Sequence, residues 1–187
     1  MKGISLFSSA GIDEYYLNQI GFDIVVANEL IKKRGDLYSF LYPKCNMIIG
    51  DINSDKVFNQ LKVHANKHKI DFIIATPPCQ GVSLAGKNKN NNQMIKDDRN
   101  YLIFKAIELI KIVKPKFILI ENVVRFNKLF LPYKGTLSSV FDILTKEFPS
   151  YSVDMHEFDA SDYSIPQKRK RIIYRIYDKS ISWQLPK

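Results

Sequence analysis

Cysteine is scarce in this sequence: Cys45 and Cys79 are the two in 187 residues, too few for a disulfide framework. No apolar run reaches the roughly 18 residues that a membrane-spanning helix needs. The opening MKGISLFSSAG enters strand-like sequence at once, without the apolar stretch and cleavage site of a secretory signal. Taken with the cysteine count, this points to a reducing cytoplasm. Internal repeats and Pro/Ser linkers are absent as well. Acidic residues are outnumbered, 19 against 28 Lys+Arg, and the formal net charge is +9. That balance suits a polyanionic partner but carries no information about fold. With 45% hydrophobic and 25% charged residues the chain is globular, and its length fits one domain rather than two.

Short apolar runs alternate with segments of helical period. Residues 4–7, 24–27, 47–49, 72–75 and 117–120 are rich in Ile, Val and Phe and end at Gly, Asn, Asp or Pro, as strands buried on both faces of a parallel sheet do. Helices are predicted over 13–20, 32–41, 57–66, 100–113 and 137–147, the last stopped before Pro149. Residues 152–158 and 172–177 alternate more and read as an antiparallel pair. The alternation argues for an α/β fold with helices on both faces of the sheet, in which ligands sit at the carboxyl ends of strands. The Asn-rich segment 86–98 reads either as a solvated surface loop or as an active-site loop.

Those strand ends carry the chemistry. SLFSSAG, residues 5–11, runs from a strand into a turn of small residues, where backbone N–H groups can approach a nucleotide-like ligand. A tight structural turn is the plain alternative, since Gly11 is its one glycine. Glu29 closes the second strand 18 positions after Gly11, about where an acid would take a ribose hydroxyl pair. Asp51 ends the third strand and could accept from an adenine amino group. Either acid alone would also serve as a helix cap or a solvated charge. Thr76-Pro77-Pro78-Cys79-Gln80-Gly81 leaves the next strand in a rigid turn that displays Cys79 as a potential nucleophile, whereas Cys45 reads as a small core residue. Glu121-Asn122-Val123 ends the following strand. A carboxyl there is partly desolvated and suited to general acid work, or simply caps the next turn. In the run 167–171, QKRKR, alternation sets Arg169 and Arg171 on one face and Lys168 and Lys170 on the other.

In this order the motifs resemble those of the cytosine-C5 DNA methyltransferases. SLFSSAG is similar to the family's first motif, NEL (28–30) to its ribose-binding acid, GDI (50–52) to its adenine contact and PPCQG to its nucleophile motif. ENV resembles the general-acid motif, QKRKR the late arginine motif, and DRNYL (98–102) the short motif opening the helix after the catalytic loop. The resemblance spans the chain from Leu6 to Tyr177. It implies a Rossmann-like S-adenosylmethionine-dependent methyltransferase fold: a mixed, mostly parallel sheet of six parallel strands and one antiparallel, with helices on both faces, and residues 1–187 as a single catalytic domain.

The resemblance also implies a mechanism. Cys79, as thiolate, adds to cytosine C6 while Glu121 donates to ring N3; the enamine then takes the methyl group of S-adenosyl-L-methionine, and loss of the C5 proton frees the enzyme. Arg171, with Arg169, holds the base O2, and Asn122 buttresses the nucleophile loop. The target base is flipped out of the DNA. Expected cofactor contacts are Phe7, Ser8, Ser9, Gly11, Glu29, Leu30, Asp51, Ile52, Pro78 and Leu102, with no metal. Two departures stand out. Ser9 occupies the position of the first glycine of the family's cofactor loop. Ten residues follow Tyr177, where family members continue into a target-recognition domain and a last cofactor motif. The expectation is therefore the catalytic half of a two-polypeptide enzyme, or a truncated member, with DNA and a second polypeptide as partners. A non-catalytic module of the same fold that binds nucleic acid or a partner, and a methyltransferase acting on transfer RNA, are the alternatives.

Overall fold

The structure, a computed structural model, describes residues 1–78 and 97–185. The chain divides into two compact units, residues 1–77 with 102–115, and 78–101 with 116–187.

The first unit is built on four parallel strands: β1 (Lys2–Leu6), β2 (Asp23–Glu29), β3 (Asn46–Ile49) and β4 (Ile70–Ala75). Their order is β3-β2-β1-β4. Consecutive buried residues along β1, the end of β2 and most of β4 mean that both faces of these strands are covered, which is why they read as unbroken apolar runs. Helices α1 (Lys32–Leu41), α2 (Asp55–Asn66) and α3 (Leu102–Val113) supply the cover. Gly35 of α1 lets that helix lie directly on β3: a Cβ there would stand 2.6 Å from Ile49. Helix α2 buries Val57, Phe58, Leu61 and Ala65, and α3 buries Ile103, Ala106, Ile107, Leu109 and Ile110, each a stripe of helical period.

The predicted helix over 13–20 is instead two short 3-10 turns, Ile12–Glu14 and Asn18–Ile20. Left-handed glycines, Gly11 and Gly21, bound the segment. Its apolar side chains Ile12, Tyr15, Tyr16 and Ile20 are exposed, so no buried stripe draws it into an α-helix.

In the second unit β5 (Phe117–Asn122) and β8 (Tyr151–Asp159) flank β9 (Lys170–Asp178), which runs antiparallel to both. The reversed strand expected from the resemblance is β9, and the expected antiparallel pair is β8 with β9. A hairpin absent from the sequence reading, β6 (Phe130–Tyr133) and β7 (Thr136–Ser139), turns through Lys134 and Gly135. Both turn residues have positive φ, 48° and 81°, the conformation that a two-residue hairpin requires. The helix expected from residue 137 consequently starts later, as α4 (Val140–Glu147), where the Ser139 hydroxyl caps the backbone N–H of Asp142. Among the described residues no helix is long and apolar enough to cross a membrane.

Candidate active site

In the first unit the carboxyl ends of β1, β2 and β3 are tied to one another by side chains. Asn28, 2% exposed, donates through Nδ2 to the carbonyls of Ile48 (2.9 Å) and Gly50 (3.1 Å). This fixes the tip of β3, and with it Asp51, against the tip of β2. Glu29 clamps the loop after β1: its Oε2 accepts from the backbone N–H of Ser9 at 2.9 Å and its Oε1 from that of Ile31 at 2.8 Å. A carboxylate has about four lone-pair sites, so two bonds leave acceptor capacity for a diol. Asp51 Oδ1 accepts from Asn53 N at 2.9 Å, and the carboxyl stays exposed to solvent.

The loop itself has an unusual backbone. Phe7, Ser9 and Gly11 all have positive φ, 61°, 50° and 78°. The Ser8 hydroxyl turns inward, to the carbonyls of Ser5 and Asn28, so Ser8 serves the loop's shape. The Thr76 hydroxyl holds the Phe7 carbonyl at 3.1 Å. Gly11 admits no side chain, because a Cβ would lie 2.3 Å from the ring of Tyr42 and 3.0 Å from that of Tyr38. Tyr42 also donates to the Gly11 carbonyl at 2.6 Å. Leu30 exposes an apolar side chain next to Glu29, Ile52 is buried at 3% exposure, and Leu102 opens α3. The remaining lone pairs of the buried Glu29, the exposed Asp51 carboxyl and the exposed Leu30 side chain, at adjacent strand ends, fit a nucleoside with hydroxyl and amino donors.

In the second unit Glu121, near the end of β5, meets Arg171 of β9. Arg171 Nε stands 2.7 Å from Glu121 Oε1, and the two side chains are 24% and 23% exposed. Arg171 Nη1 also donates to the Lys170 carbonyl at 2.8 Å. Asn122 is buried, and its Oδ1 accepts from the next backbone N–H, that of Val123, at 2.9 Å. Arg169 lies just before β9 and is exposed. Its backbone N–H binds Asp159 at 2.9 Å, and its side chain makes no hydrogen bond or ion pair among the described residues. The structure thus brings Glu121 and Arg171 together, and Arg169 does not join them. Pro78 is half-buried. Cys79 and most of the Asn-rich segment lie outside the described residues. Cys45 is free and half-buried, and burial pushes its thiol up to about 12.

Sequence reasoning missed four residues that shape the site. Asn28 had a visible signal, a buried amide ending an apolar strand. Tyr38 on α1 and Tyr42 just past its end are spaced by four, a spacing that says nothing of Gly11. Glu14 gave no signal, since its partner lies 24 positions away.

The strand order, with helices covering the sheet, is that of the Rossmann-like S-adenosylmethionine-dependent methyltransferase fold. More narrowly, the chain belongs to the C-5 cytosine-specific DNA methylase family, which it matches over residues 1–187. It is 51% identical, over all 187 residues, to the Type II methyltransferase M1.HgaI of Avibacterium volantium, covering 52% of that protein. With the Type II methyltransferase M1.HphI of Haemophilus parahaemolyticus it shares 32% identity over 173 residues, 91% of this chain and 44% of the relative. Among solved structures, a DNA modification methyltransferase encoded within an E. coli prophage superposes with a TM-score of 0.70 at 26% identity, over 96% of this chain and 47% of the other. The chain spans about half the length of the relatives it matches.

Proposed function

We propose that this chain carries out methyl transfer to C5 of cytosine in DNA, with Cys79 as nucleophile and S-adenosyl-L-methionine as methyl donor. The observation that supports this reading most directly is the 2.7 Å Glu121–Arg171 pair, a proton donor and a fixed guanidinium side by side at the strand end where the family's motifs fall. C5 of cytosine is a poor nucleophile until a group adds at C6. The Cys79 thiolate forms that bond while Glu121 protonates N3, which draws charge from the ring and leaves an enamine at C5–C6. Arg171 holds the base O2 and relieves the charge developing there. Asn122 secures the turn that keeps Glu121 in place. The donor, when bound, would supply an electrophilic methyl carbon, and the β1 loop, Glu29, Asp51 and Leu30 are the residues that would hold it, Glu29 taking ribose hydroxyls and Asp51 the adenine amino group. Loss of the C5 proton to water then expels the thiolate, and the N3 proton returns to the Glu121 carboxylate. A stacked base is out of reach of these groups, so the cytosine must leave the helix.

The test uses a DNA duplex with 5-fluorocytosine in place of cytosine, incubated with S-adenosylmethionine and with the half of the relatives' length that this chain does not span supplied as a second polypeptide. The fluorine blocks the last step, so a covalent protein–DNA adduct accumulates. The adduct should be lost in Cys79→Ser and in Glu121→Gln. No adduct with the unsubstituted chain, or an adduct that survives Cys79→Ser, rules out the proposed chemistry.

A further inference from the structure

Beneath the β1 loop lies an acid that the methylation chemistry does not use. Glu14 is 4% exposed. One carboxyl oxygen, Oε2, accepts from the Tyr38 hydroxyl, and the other, Oε1, is buried without a hydrogen-bond partner. Among the described residues, the groups that act on this carboxyl are neutral or acidic. Ser5 faces it from β1, Asp13 from its own turn, Tyr38 from α1, Tyr42 from just beyond α1, and Cys45 from the segment before β3. Glu14 forms no ion pair among the described residues. A buried carboxylate without a cation is disfavoured, so the site selects the protonated acid. Burial above all, opposed by the Ser5 and Tyr38 hydroxyls and reinforced by Asp13, raises the Glu14 carboxyl to about 7. Burial also holds Cys45 and Tyr38 far above neutrality.

The cluster is joined to the loop by Tyr38. Its hydroxyl is the donor to Glu14, and its ring stands 3.0 Å from where a Gly11 Cβ would be. The backbone N–H of Glu14 bonds the Gly11 carbonyl at 3.3 Å, and that of Gly11 bonds Ser8 at 2.9 Å. A shift of the carboxyl therefore moves Tyr38 and the turn that ends the loop.

We propose that Glu14 is a positioning residue for the β1 loop, and that the loop keeps the shape that binds S-adenosylmethionine only while this carboxyl holds its proton. The inference rests on the assignment of that loop to the methyl donor. Ionisation leaves a charge in an apolar surround, and the least costly relief is for the Ile12–Glu14 turn to open toward water, which pulls Gly11 and Ser9 away from the clamp made by Glu29.

Calorimetric titration with S-adenosylhomocysteine from pH 5.5 to 8.5 tests this, on the full chain together with the second polypeptide that supplies the rest of the relatives' length. The ligand's own amine titrates in part of that range but acts alike on every variant, so the readout is the difference between proteins. The unsubstituted chain should lose affinity by about tenfold between pH 6 and 8 relative to Glu14→Gln, whose amide cannot ionise. Glu14→Gln should hold the low-pH affinity throughout. Tyr38→Phe, which removes a hydrogen bond that favours the carboxylate, should move the midpoint to higher pH, a shift that a merely structural tyrosine would not produce. Parallel pH profiles for the unsubstituted chain and Glu14→Gln would overturn the proposal. Ligand-free melting separates it from the cofactor assignment. If no protein binds the ligand at any pH, the loop assignment fails and the positioning role with it. A melting difference between Glu14→Gln and the unsubstituted chain that still widens through neutrality then identifies the assignment, not the proton, as the error.

Discussion

Arg171 Nε lies 2.7 Å from Glu121 Oε1, across the β5–β9 ladder. The guanidinium fork is placed to serve both this carboxyl and the O2 of an incoming base. The two residues therefore work as a unit, and their losses should not add.

Arg171→Lys keeps the charge but lacks the planar fork that can serve a carboxylate and a base oxygen together. Methyl transfer should fall by about 100-fold, and Glu121→Gln should cost as much or more. The double variant should be little worse than the poorer single one. Single-turnover rates on cytosine-containing duplex measure this, and fully additive losses would show that the two side chains act separately.

The strand ends were readable in the sequence because the chemistry is local there. Glu29, Asp51 and Glu121 each end or follow an apolar run, and at the end of β2 the run is unbroken because the strand is covered on both faces. What closes the site over distance was not readable. Asn28 reaches the β3 tip, Tyr42 reaches Gly11 across 31 positions, and Tyr38 reaches Glu14. None of these pairings leaves a periodic mark. The β6–β7 hairpin escaped notice because Pro132 interrupts one of its short strands, although the Lys134-Gly135 turn was a signal in plain sight.

Ser9 is held at φ 50°, where a side chain costs about 1 kcal/mol relative to glycine. Its contribution to the clamp is a backbone N–H, which glycine retains. Ser9→Gly should leave donor affinity unchanged or improved and raise stability by at most about 0.5–1 kcal/mol, since glycine's unfolded-state entropy offsets part of the gain. A loss of affinity of about tenfold would mean instead that the hydroxyl itself touches the ligand.

Gly11→Ala is the opposite case. The new methyl would lie 2.3 Å from the Tyr42 ring at a residue with φ 78°. Backbone strain and overpacking together should destabilise the first unit by about 2–4 kcal/mol. Denaturant unfolding reads the loss, and Tyr42→Ala in the same chain should recover part of it by making room. Full additivity of the two changes would mean that the clash is relieved elsewhere.

Arg175 fastens the last described segment. It is 7% exposed, makes two bonds to Asp154 at 2.8 and 2.7 Å, and donates to the Trp183 carbonyl at 2.8 Å. Its guanidinium also stacks on the Tyr177 and Trp183 rings. Arg175→Met keeps the apolar stem but leaves Asp154 without its principal partner, so it should destabilise the second unit by about 3 kcal/mol. Trp183 is the only tryptophan in the sequence, so its emission reports the change directly. It should shift to the red as the segment leaves Phe117 and Tyr177, and an unchanged spectrum would mean that the ring packing alone holds the segment.

Stability of the folded chain depends on pH through Glu14. In the folded chain the Glu14 carboxyl is raised from 4.5 to about 7. Between those values the unfolded chain has released this proton while the folded chain keeps it, so the folded state binds more protons and stability falls as pH rises. The contribution of Glu14 is complete below about pH 4.5, declines up to about pH 7 and is flat beyond, a total of about 3 kcal/mol. Carboxylates held by cations give the reverse trend, and other groups titrate in the same window, so the comparison is with Glu14→Gln at each pH. Urea unfolding should find Glu14→Gln gaining on the unsubstituted chain from pH 5 to 7 and the gap constant above pH 8. A gap that stays the same across the whole range would mean that Glu14 is ionised in the folded chain, with its charge met by water or by opening of the turn.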